Sequence, residues 1–317
     1  MTFRALGKSG IQVSAVALGC MSLGTDRVRA RRILERALEL GVTLFDTADL
    51  YDHGVNEEIV GEVLGGARGV RGAGDARDRV VIATKVGNRW RANGSGWDWD
   101  PSAAWILQEV HESLRRLKLD CIDLYQLHGG TMDDPAEETV RAFERLQHEG
   151  SIRAWGISSI RPNVVRRFAA LADNGAARLT SEMVQYSMLD RRPEEEILQT
   201  AAHAGLGVLV RGSVANGLLA GKPPLGKPAA AYLELSAAEV QAAQDSLRSV
   251  AGSDQAMSAA AIRYCLSHPA VTAVVAGASS VSQVEANVAA ASAPPLTEAE
   301  IGALRASVRA LKYTNHR

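Results

Sequence analysis

Eight short apolar runs recur along this chain, and segments with helical periodicity separate them. Each run is rich in β-branched or aliphatic residues, as buried parallel strands are, and the alternation with helices favours parallel pairing. The runs fall at residues 14–19, 42–46, 80–85, 121–127, 152–158, 180–185, 206–211 and 271–276. Eight is the number of strands in a (β/α)8 barrel. The sequence therefore predicts an α/β fold of the (β/α)8 TIM-barrel type.

Two segments flank the predicted barrel. Residues 4–12 contain a Gly-Lys-Ser-Gly turn and predict a β-hairpin that plugs one end of the barrel. Apolar residues at helical spacing, from Ile301 to Leu311, predict a C-terminal helix. The chain has 317 residues, 46% of them apolar, and no linker divides it. One barrel domain over residues 1–317 is the simplest interpretation, since such a barrel takes about 250 residues or more.

Two long stretches interrupt the alternation of strands and helices. Residues 66–79 are rich in Gly and Arg and predict a solvated loop. Residues 212–232 contain many Gly and Pro residues, and a loop of this length is usually functional or disordered.

The charge balance argues against several classes of partner. Lys and Arg number 35 and Asp and Glu 36, so the net charge of −1 gives no electrostatic reason to bind nucleic acid or an anionic membrane. No apolar run approaches the length of a membrane span, and no signal segment is evident. The three cysteines are widely spaced, which favours reduced thiols. These features predict a cytoplasmic protein and leave its oligomeric state open.

Three of the predicted strands end in an ionisable residue. They are Asp46, Lys85 and His128, and Tyr51 follows Asp46 by five residues. In a (β/α)8 barrel these strand ends converge at the mouth where catalytic residues lie. Taken singly, Asp46 could cap a turn, Lys85 could extend its amine to solvent, His128 could belong to a turn and Tyr51 could simply pack. The four together predict an active site.

The residue types suit proton transfer to a carbonyl. Tyrosine has a pKa near 10 in water, and we expect Lys85 to lower the pKa of Tyr51 by favouring the phenolate. Asp46 would keep Lys85 charged, and a neutral His128 could polarise a carbonyl oxygen. An unrelated barrel enzyme that uses Lys85 as a Schiff-base nucleophile is another interpretation.

The motifs around these residues resemble those of the aldo-keto reductases. Phe-Asp-Thr-Ala-Asp-Leu-Tyr at 45–51 precedes Asn-Glu-Glu-Ile-Val-Gly at 56–61, and Ile-Asp-Leu-Tyr-Gln-Leu-His ends at 128. Gly-Ser-Ile-Arg at 150–153 and Gly-Ile-Ser at 156–158 match further motifs, so the resemblance covers nearly the whole chain. Within the family, the chain resembles the branch that includes the potassium-channel β-subunits.

The resemblance implies a function. It implies an NADP(H)-dependent reductase of aldehydes and ketones, with direct hydride transfer, Asp46, Tyr51, Lys85 and His128 as the catalytic tetrad, and Tyr51 as the proton donor. No metal is expected. NAD(H) is the alternative cofactor, and the partner is a small carbonyl substrate. Some barrels of this family are instead regulatory subunits that bind NADP(H) and sense redox state, which is the alternative function.

The expected cofactor site lies on the loops after the last strands. The chain lacks a Gly-x-Gly-x-x-Gly motif after its first strand and a complete P-loop. In barrels, the loops after strands seven and eight commonly bind phosphate. With the contacts that the resemblance implies, the predicted cofactor residues are Gly19, Cys20, Met21, Asp46, Ser158, Ser159, Gln185, Arg211, Gly212, Ser213, Val214, Asn216, Gly217, Leu218, Lys222, Gly277, Ala278, Ser279, Ser280, Gln283 and Asn287.

Three positions depart from the family pattern. The Lys or Arg that many relatives place early in the loop after strand eight is absent, which weakens the case for NADPH over NADH. Ser159 stands where relatives usually carry Asn. Arg211 replaces an aromatic residue that stacks on the nicotinamide, and its planar guanidinium could stack there as well. We expect Arg211 to tune cofactor binding or its redox bias.

The segment after Lys85 contains three of the five tryptophans. A loop with this content at a barrel mouth suits an apolar or ring-bearing substrate. The predicted substrate pocket comprises Tyr51, Trp90, Trp97 and His128. The alternative is that these tryptophans only anchor the loop to the barrel rim.

Overall fold

A closed ring of eight parallel strands forms the centre of the structure. The computed structural model describes residues 1–66, 76–173, 179–223 and 231–317. Within these ranges the strands are β1 (Phe3–Ala5), β2 (Gln12–Ser14), β3 (Val16–Gly19), β4 (Leu44–Asp46), β5 (Val81–Val86), β6 (Asn88–Trp90), β7 (Trp97–Trp99), β8 (Ile122–Leu127), β9 (Ile152–Ser158), β10 (Ser181–Gln185), β11 (Gly207–Arg211) and β12 (Val271–Gly277).

Helices surround the ring. In the described residues they are α1 (Arg27–Glu39), α2 (Val55–Leu64), α3 (Ala76–Arg79), α4 (Ala103–Leu117), α5 (Ala136–His148), α6 (Pro162–Asp173), α7 (Ile197–Ala204), α8 (Ala237–Ala251), α9 (Met257–Ser267), α10 (Val281–Ala289) and α11 (Glu298–Ala306). None of them is long and apolar enough to cross a membrane, a finding limited to the described residues.

The barrel order follows the chain. It runs β3, β4, β5, β8, β9, β10, β11 and β12, and β12 closes the ring by pairing with β3. Each predicted apolar run overlaps one of these strands, and the ends differ by no more than two residues. The (β/α)8 prediction is confirmed. The predicted C-terminal helix is α11, although Val308 and Leu311 lie beyond its end and are buried there.

The barrel interior is a small apolar core that the N-terminal hairpin closes. Inward-facing side chains such as Leu44, Leu124 and Leu209 pack with Leu6 and Ile11 of the hairpin. β1 and β2 form this hairpin, as predicted. Its turn lies against the amino ends of β10 and β11.

Gly7 shows how close that approach is. Its φ is +53°, and a Cβ there would collide with the Thr180 carbonyl and the Gly207 amide. Only glycine fits this contact without strain. The hairpin therefore closes the amino end of the barrel and leaves the carboxyl end open for the site.

The loop prediction for residues 66–79 is wrong where it can be compared. Residues 67–75 lie outside the described residues, but α3 forms at 76–79 and Arg77 is only 2% exposed. Its guanidinium lies 2.8 Å from the buried carboxylate of Asp123 on β8. A buried carboxylate needs such a partner, so Arg77 is drawn out of solvent.

The irregular segment after β11 is partly ordered into a helix. Residues 215–220 form a short 3₁₀ helix, and residues 224–230 of the predicted loop lie outside the described residues.

Candidate active site

Asp46, Lys85, Tyr51 and His128 meet at the carboxyl end of the barrel. Asp46 ends β4, Lys85 lies near the end of β5, and His128 directly follows β8. Lys85 Nζ lies 2.7 Å from Asp46 Oδ2 and donates to Tyr51 Oη at 3.3 Å. The Tyr51 and His128 rings meet edge to face, with centroids 5.9 Å apart. The structure thus brings the four predicted residues together.

Lys85 is held as a buried cation. Its side chain is 1% exposed, and its amine also donates to the carbonyl oxygen of Thr47 at 2.7 Å. Burial alone lowers the pKa of Lys85, but the charge of Asp46 and the hydrogen bonds to Asp46 and Tyr51 outweigh it and raise the pKa above the usual value. A Schiff-base nucleophile must be a free amine, so this environment argues against that role.

The predicted direction of the Tyr51 pKa shift is wrong for the protein without cofactor. Burial raises the pKa of the phenol above its usual value, and the nearby charge of Lys85 only partly opposes this. The sequence shows the lysine but not the loss of water around the ring, and here the loss of water is the larger effect. Tyr51 therefore holds its proton at neutral pH.

His128 is a neutral imidazole. Burial, together with the charges of Lys85 and Arg211, holds its pKa well below the usual value. Its Nδ1 is buried and has no hydrogen-bond partner among the described residues. Its backbone is fixed, since the amide donates to Val86 O at 2.7 Å and the carbonyl accepts from Asn88 at 3.2 Å. A neutral imidazole in this place can donate to a carbonyl oxygen.

Gln185 and Arg211 lie side by side at the ends of β10 and β11. Arg211 Nη1 donates to Gln185 Oε1 at 3.0 Å, and Gln185 Nε2 donates to Asp190 Oδ2 at 2.9 Å. Asp190 is in turn paired with Arg192 at 2.7 Å. Both ends of the Gln185 amide are therefore occupied, so a contact with a cofactor would have to share or replace one of them.

Asp190 was not predicted from the sequence. Its backbone follows a short turn after β10, and nothing in the local pattern distinguishes Asp190 from a surface residue. Only the packing of that turn places its carboxylate beside Gln185.

Ser158 and Ser159 are buried at the end of β9. Ser158 pairs in register with Met183, and the Ser159 amide donates to Glu182 Oε1 at 3.4 Å. Glu182 is fully buried, and burial raises its pKa well above the usual value. Glu182, the second residue of β10, is another buried polar residue that the sequence did not single out.

The first predicted phosphate loop follows β11. Asn216 and Gly217 adopt left-handed backbone angles within the 3₁₀ helix, and Gln244 of α8 donates to the carbonyls of Leu218 and Lys222, each at 2.7 Å. Ser213 is buried, and its hydroxyl has no partner among the described residues. Gly212 and Val214 flank Ser213 in the same turn. An unpaired hydroxyl at the barrel mouth fits a ligand that is polar.

The second predicted loop begins α10. Ser280 accepts from the amide of Gln283, whose side chain accepts from the Ser279 amide at 2.7 Å, and Asn287 Nδ2 donates to Gly277 O at 3.1 Å. Ordinary helix capping thus accounts for part of this pattern.

The ends of the first and last barrel strands meet at this loop. Gly277 pairs with Gly19, so Cys20 and Met21 lie near Ala278 and the start of α10. A helix N-terminus at a barrel mouth offers free amides to an anion. The residues present therefore fit a phosphate-bearing cofactor along the ends of β9 to β12 and β3.

The tryptophan-rich segment is a second β-hairpin rather than an irregular loop. β6 and β7 pair antiparallel, with Trp90 opposite Trp97. Trp97 is 47% exposed, whereas Trp90 stacks on His53 with ring centroids 3.7 Å apart and donates to Leu50 O at 3.3 Å. Trp90 therefore anchors the hairpin to the segment that carries Tyr51, which supports the anchoring alternative for this residue.

Comparison with known proteins gives consistent matches. The family model described as "Aldo/keto reductase family" matches residues 15–309. The solved structure of aldo-keto reductase AKR11C1 from Bacillus halodurans, holo form, is 47% identical, covers 100% of this chain and 99% of its own, and superposes with a TM-score of 0.89.

Two curated relatives extend this comparison. The uncharacterized oxidoreductase YqkF of Bacillus subtilis is 45% identical over 100% of both chains. A probable voltage-gated potassium channel subunit beta of rice is 30% identical over 95% of this chain and 94% of its own.

Proposed function

This chain belongs to the aldo/keto reductase family, and we propose that it is an NADP(H)-dependent oxidoreductase that reduces aldehydes or ketones to alcohols. The observation that carries the proposal is the buried contact of Lys85 with both Asp46 and Tyr51, beside a neutral His128. This set can deliver a proton to a carbonyl oxygen as it becomes an alkoxide.

Each of the four residues has a distinct part in that reaction. A bound dihydronicotinamide would supply hydride to the carbonyl carbon. His128, neutral and fixed through its backbone, would hold the carbonyl oxygen by donating a hydrogen bond. Tyr51, protonated because it is buried, would donate its proton to that oxygen. Lys85 would stabilise the phenolate that remains, and Asp46 keeps Lys85 charged.

The cofactor would occupy the ends of β9 to β12 and β3. Supporting features are the capped N-terminus of α10, the unpaired hydroxyl of Ser213 and the guanidinium of Arg211. NADP(H) is proposed over NAD(H) on family grounds, and the missing Lys or Arg after β12 keeps NAD(H) as the alternative. That AKR11C1 has been solved in holo and apo forms supports a cofactor site in this fold.

The substrate would enter beside Tyr51 and His128. Trp97 is exposed, and its place in the substrate pocket stays a prediction. A cytoplasmic location likewise stays a prediction from composition.

The alternative function is a regulatory subunit that binds NADP(H) with little turnover. Its support is the rice relative, named as a probable channel subunit, which shares 30% identity with this chain. An intact set of four residues is compatible with both functions, and turnover is what distinguishes them.

The test is a screen of NADPH and NADH oxidation, followed by absorbance, against a panel of aldehydes and ketones. We expect turnover with at least one carbonyl, and Tyr51→Phe should lower kcat by about 10²- to 10⁴-fold, the usual contribution of a general acid. Full activity in Tyr51→Phe would overturn the proton-donor assignment. Tight NADPH binding with negligible turnover across the panel would favour the regulatory alternative.

A further inference from the structure

We infer that the hairpin of β6 and β7 sets the position of Tyr51, and that Trp90 is the positioning residue through which it acts. The inference rests on the proposed function, because it concerns the residue proposed as proton donor. It assigns to this hairpin a role in the rate of the chemical step rather than in the choice of substrate.

The turn that carries Tyr51 adopts an unfavourable backbone conformation. Three residues in a row after Tyr51 have positive φ angles: Asp52 at 49°, His53 at 55° and Gly54 at 85°. Non-glycine residues in the left-handed region cost of order 1 kcal/mol or more each, and they persist where surrounding structure holds them. The turn therefore needs contacts from outside itself.

Trp90 supplies such contacts on both sides of Tyr51. Its indole N–H donates to the carbonyl oxygen of Leu50, the residue before Tyr51, at 3.3 Å. Its ring stacks on His53, two residues after Tyr51, with the planes 20° apart. A single side chain thus contacts the backbone before Tyr51 and a side chain after it.

The segment before the turn is held separately. The Asp49 amide donates to Lys85 O at 3.3 Å, and the Tyr51 amide donates to Ala48 O at 3.2 Å. These bonds fix where the chain leaves β4, but they do not reach residues 52 and 53. The Val55 amide donates to Asp52 O and closes the turn on the side of α2, and Trp90 adds a contact from another element by covering the His53 ring.

The open end of the hairpin, where Asn88 pairs with Trp99, contacts the His128 segment. Asn88 of β6 donates to His128 O at 3.2 Å, and Trp99 of β7 donates to Asp134 at 2.9 Å. The Trp99 ring also lies against Gly129, where an added Cβ would come within 3.1 Å of it. The hairpin therefore contacts the segments of both Tyr51 and His128, so it can hold these two side chains at their separation.

The stacking argues against Trp90 as a substrate contact. One face of its indole is covered by His53 and its N–H is already bonded, so a ligand could reach only the other face, which lines the cleft between β6 and β7. Trp97, its cross-strand neighbour, has no such contact within the described part of the chain and is half exposed. The two tryptophans are therefore expected to behave differently when each is substituted.

The test compares Trp90→Leu, Trp90→Phe and Arg91→Ala in the full-length protein. Arg91→Ala is the matched control, because it breaks an exposed ion pair with Asp98 on the same hairpin without touching the Tyr51 turn. We expect Trp90→Leu to lower kcat about tenfold, the scale of a small misplacement of a reacting group, with KM and the NADPH dissociation constant nearly unchanged. Trp90→Phe keeps a stacking ring and should lose about threefold.

Amide hydrogen exchange provides a readout that does not depend on turnover. The Tyr51 amide should exchange faster in Trp90→Leu than in the wild type or in Arg91→Ala, while amides of β4 and β5 stay protected. Wild-type kcat in Trp90→Leu, or a loss confined to KM for bulky carbonyls, would overturn the inference. Equal losses in Trp90→Leu and Arg91→Ala would also overturn it, since the hairpin would then matter only as a whole.

Tyr51→Phe separates this inference from the proposed function. If Tyr51→Phe is fully active, the proton-donor assignment fails whatever Trp90 does. If Tyr51→Phe is inactive and Trp90→Leu behaves as wild type in both rate and exchange, only the positioning role of Trp90 fails.

Discussion

Arg211 carries a positive charge at the barrel mouth. No carboxylate of the described residues lies within ion-pair distance of its guanidinium. One of its nitrogens donates to Gln185, and its charge acts on Asp46, Tyr51 and His128. Asp190, which could have balanced it, is already paired with Arg192. If the nicotinamide binds here as proposed, this cation would repel the oxidised ring, which is positive, more than the reduced ring, which is neutral.

Replacing Arg211 should therefore change the preference between the two cofactor forms. We expect Arg211→Tyr to tighten NADP⁺ binding relative to NADPH by about three- to tenfold, the scale of one partly screened charge contact. Fluorescence titration of both forms measures the ratio. Arg31→Gln removes the same charge from α1 and serves as the control. If both dissociation constants and the turnover rate match the wild type, Arg211 has no part in cofactor binding.

At the scale of elements, helices α2 and α4 pack against the barrel through buried acids. Glu57 and Glu109 share the guanidinium of Arg116, and Thr84 on β5 donates to Glu57 at 2.6 Å. Asp49 lies beside them, 6% exposed, and neither of its carboxylate oxygens has a partner among the described residues. Burial, reinforced by the charges of Glu57 and Glu109, raises the pKa of Asp49 well above the usual value.

The raised pKa of Asp49 makes the free energy of unfolding fall as pH rises, which is a pH-dependent penalty where α2 and α4 pack. Because its pKa is raised, Asp49 keeps its proton to a higher pH in the folded state than in the unfolded chain, which releases it above about pH 4. Stability is therefore lost as pH rises from there to the folded pKa, by up to about 1.4 kcal/mol per pH unit.

Asp49→Asn should remove this penalty. The neutral amide needs no proton, so we expect the variant to gain stability over the wild type as pH rises from 5 to 8, and to gain little near pH 4. Urea unfolding at several pH values measures the difference. A constant difference across that range would show that Asp49 is ionised in the folded protein.

At the scale of the whole molecule, the two ends of the barrel have separate tasks. The N-terminal hairpin seals the amino end with Leu6, Ile11 and Val13, and the four polar residues of the site lie at the carboxyl end. In barrels of this type, the amino end mainly supports stability and the carboxyl end carries the chemistry.

Leu6→Ala tests that separation. Leu6 is fully buried in the barrel core, so its truncation should cost about 2–5 kcal/mol of unfolding free energy. Well below the unfolding transition, kcat should stay at the wild-type value, because the site is at the other end. Lys8→Ala, on the exposed turn of the same hairpin, should change stability by less than about 0.5 kcal/mol. A large loss of kcat in folded Leu6→Ala would show that the ends are coupled.

Much of this molecule could be predicted from its sequence alone. The eight strands show as apolar runs, and a residue that follows such a run must lie at the carboxyl end of the barrel. Asp46, Lys85 and His128 were predictable for that reason, and Tyr51 because it follows Asp46 by only five residues. The approach of Asp46 to Lys85 follows, because β4 and β5 are neighbours.

Only the tertiary structure decided how these groups behave. The raised pKa of Tyr51, the lowered pKa of His128 and the burial of Arg77 depend on water excluded by segments far apart in the chain. The partners of Gln185 and the contact of Trp90 with the Tyr51 turn likewise join residues whose proximity no local pattern encodes. Sequence periodicity determined where the strands lie, because period and apolarity are local properties. Desolvation and side-chain pairing are properties of the packed whole, and they determined what the site can do.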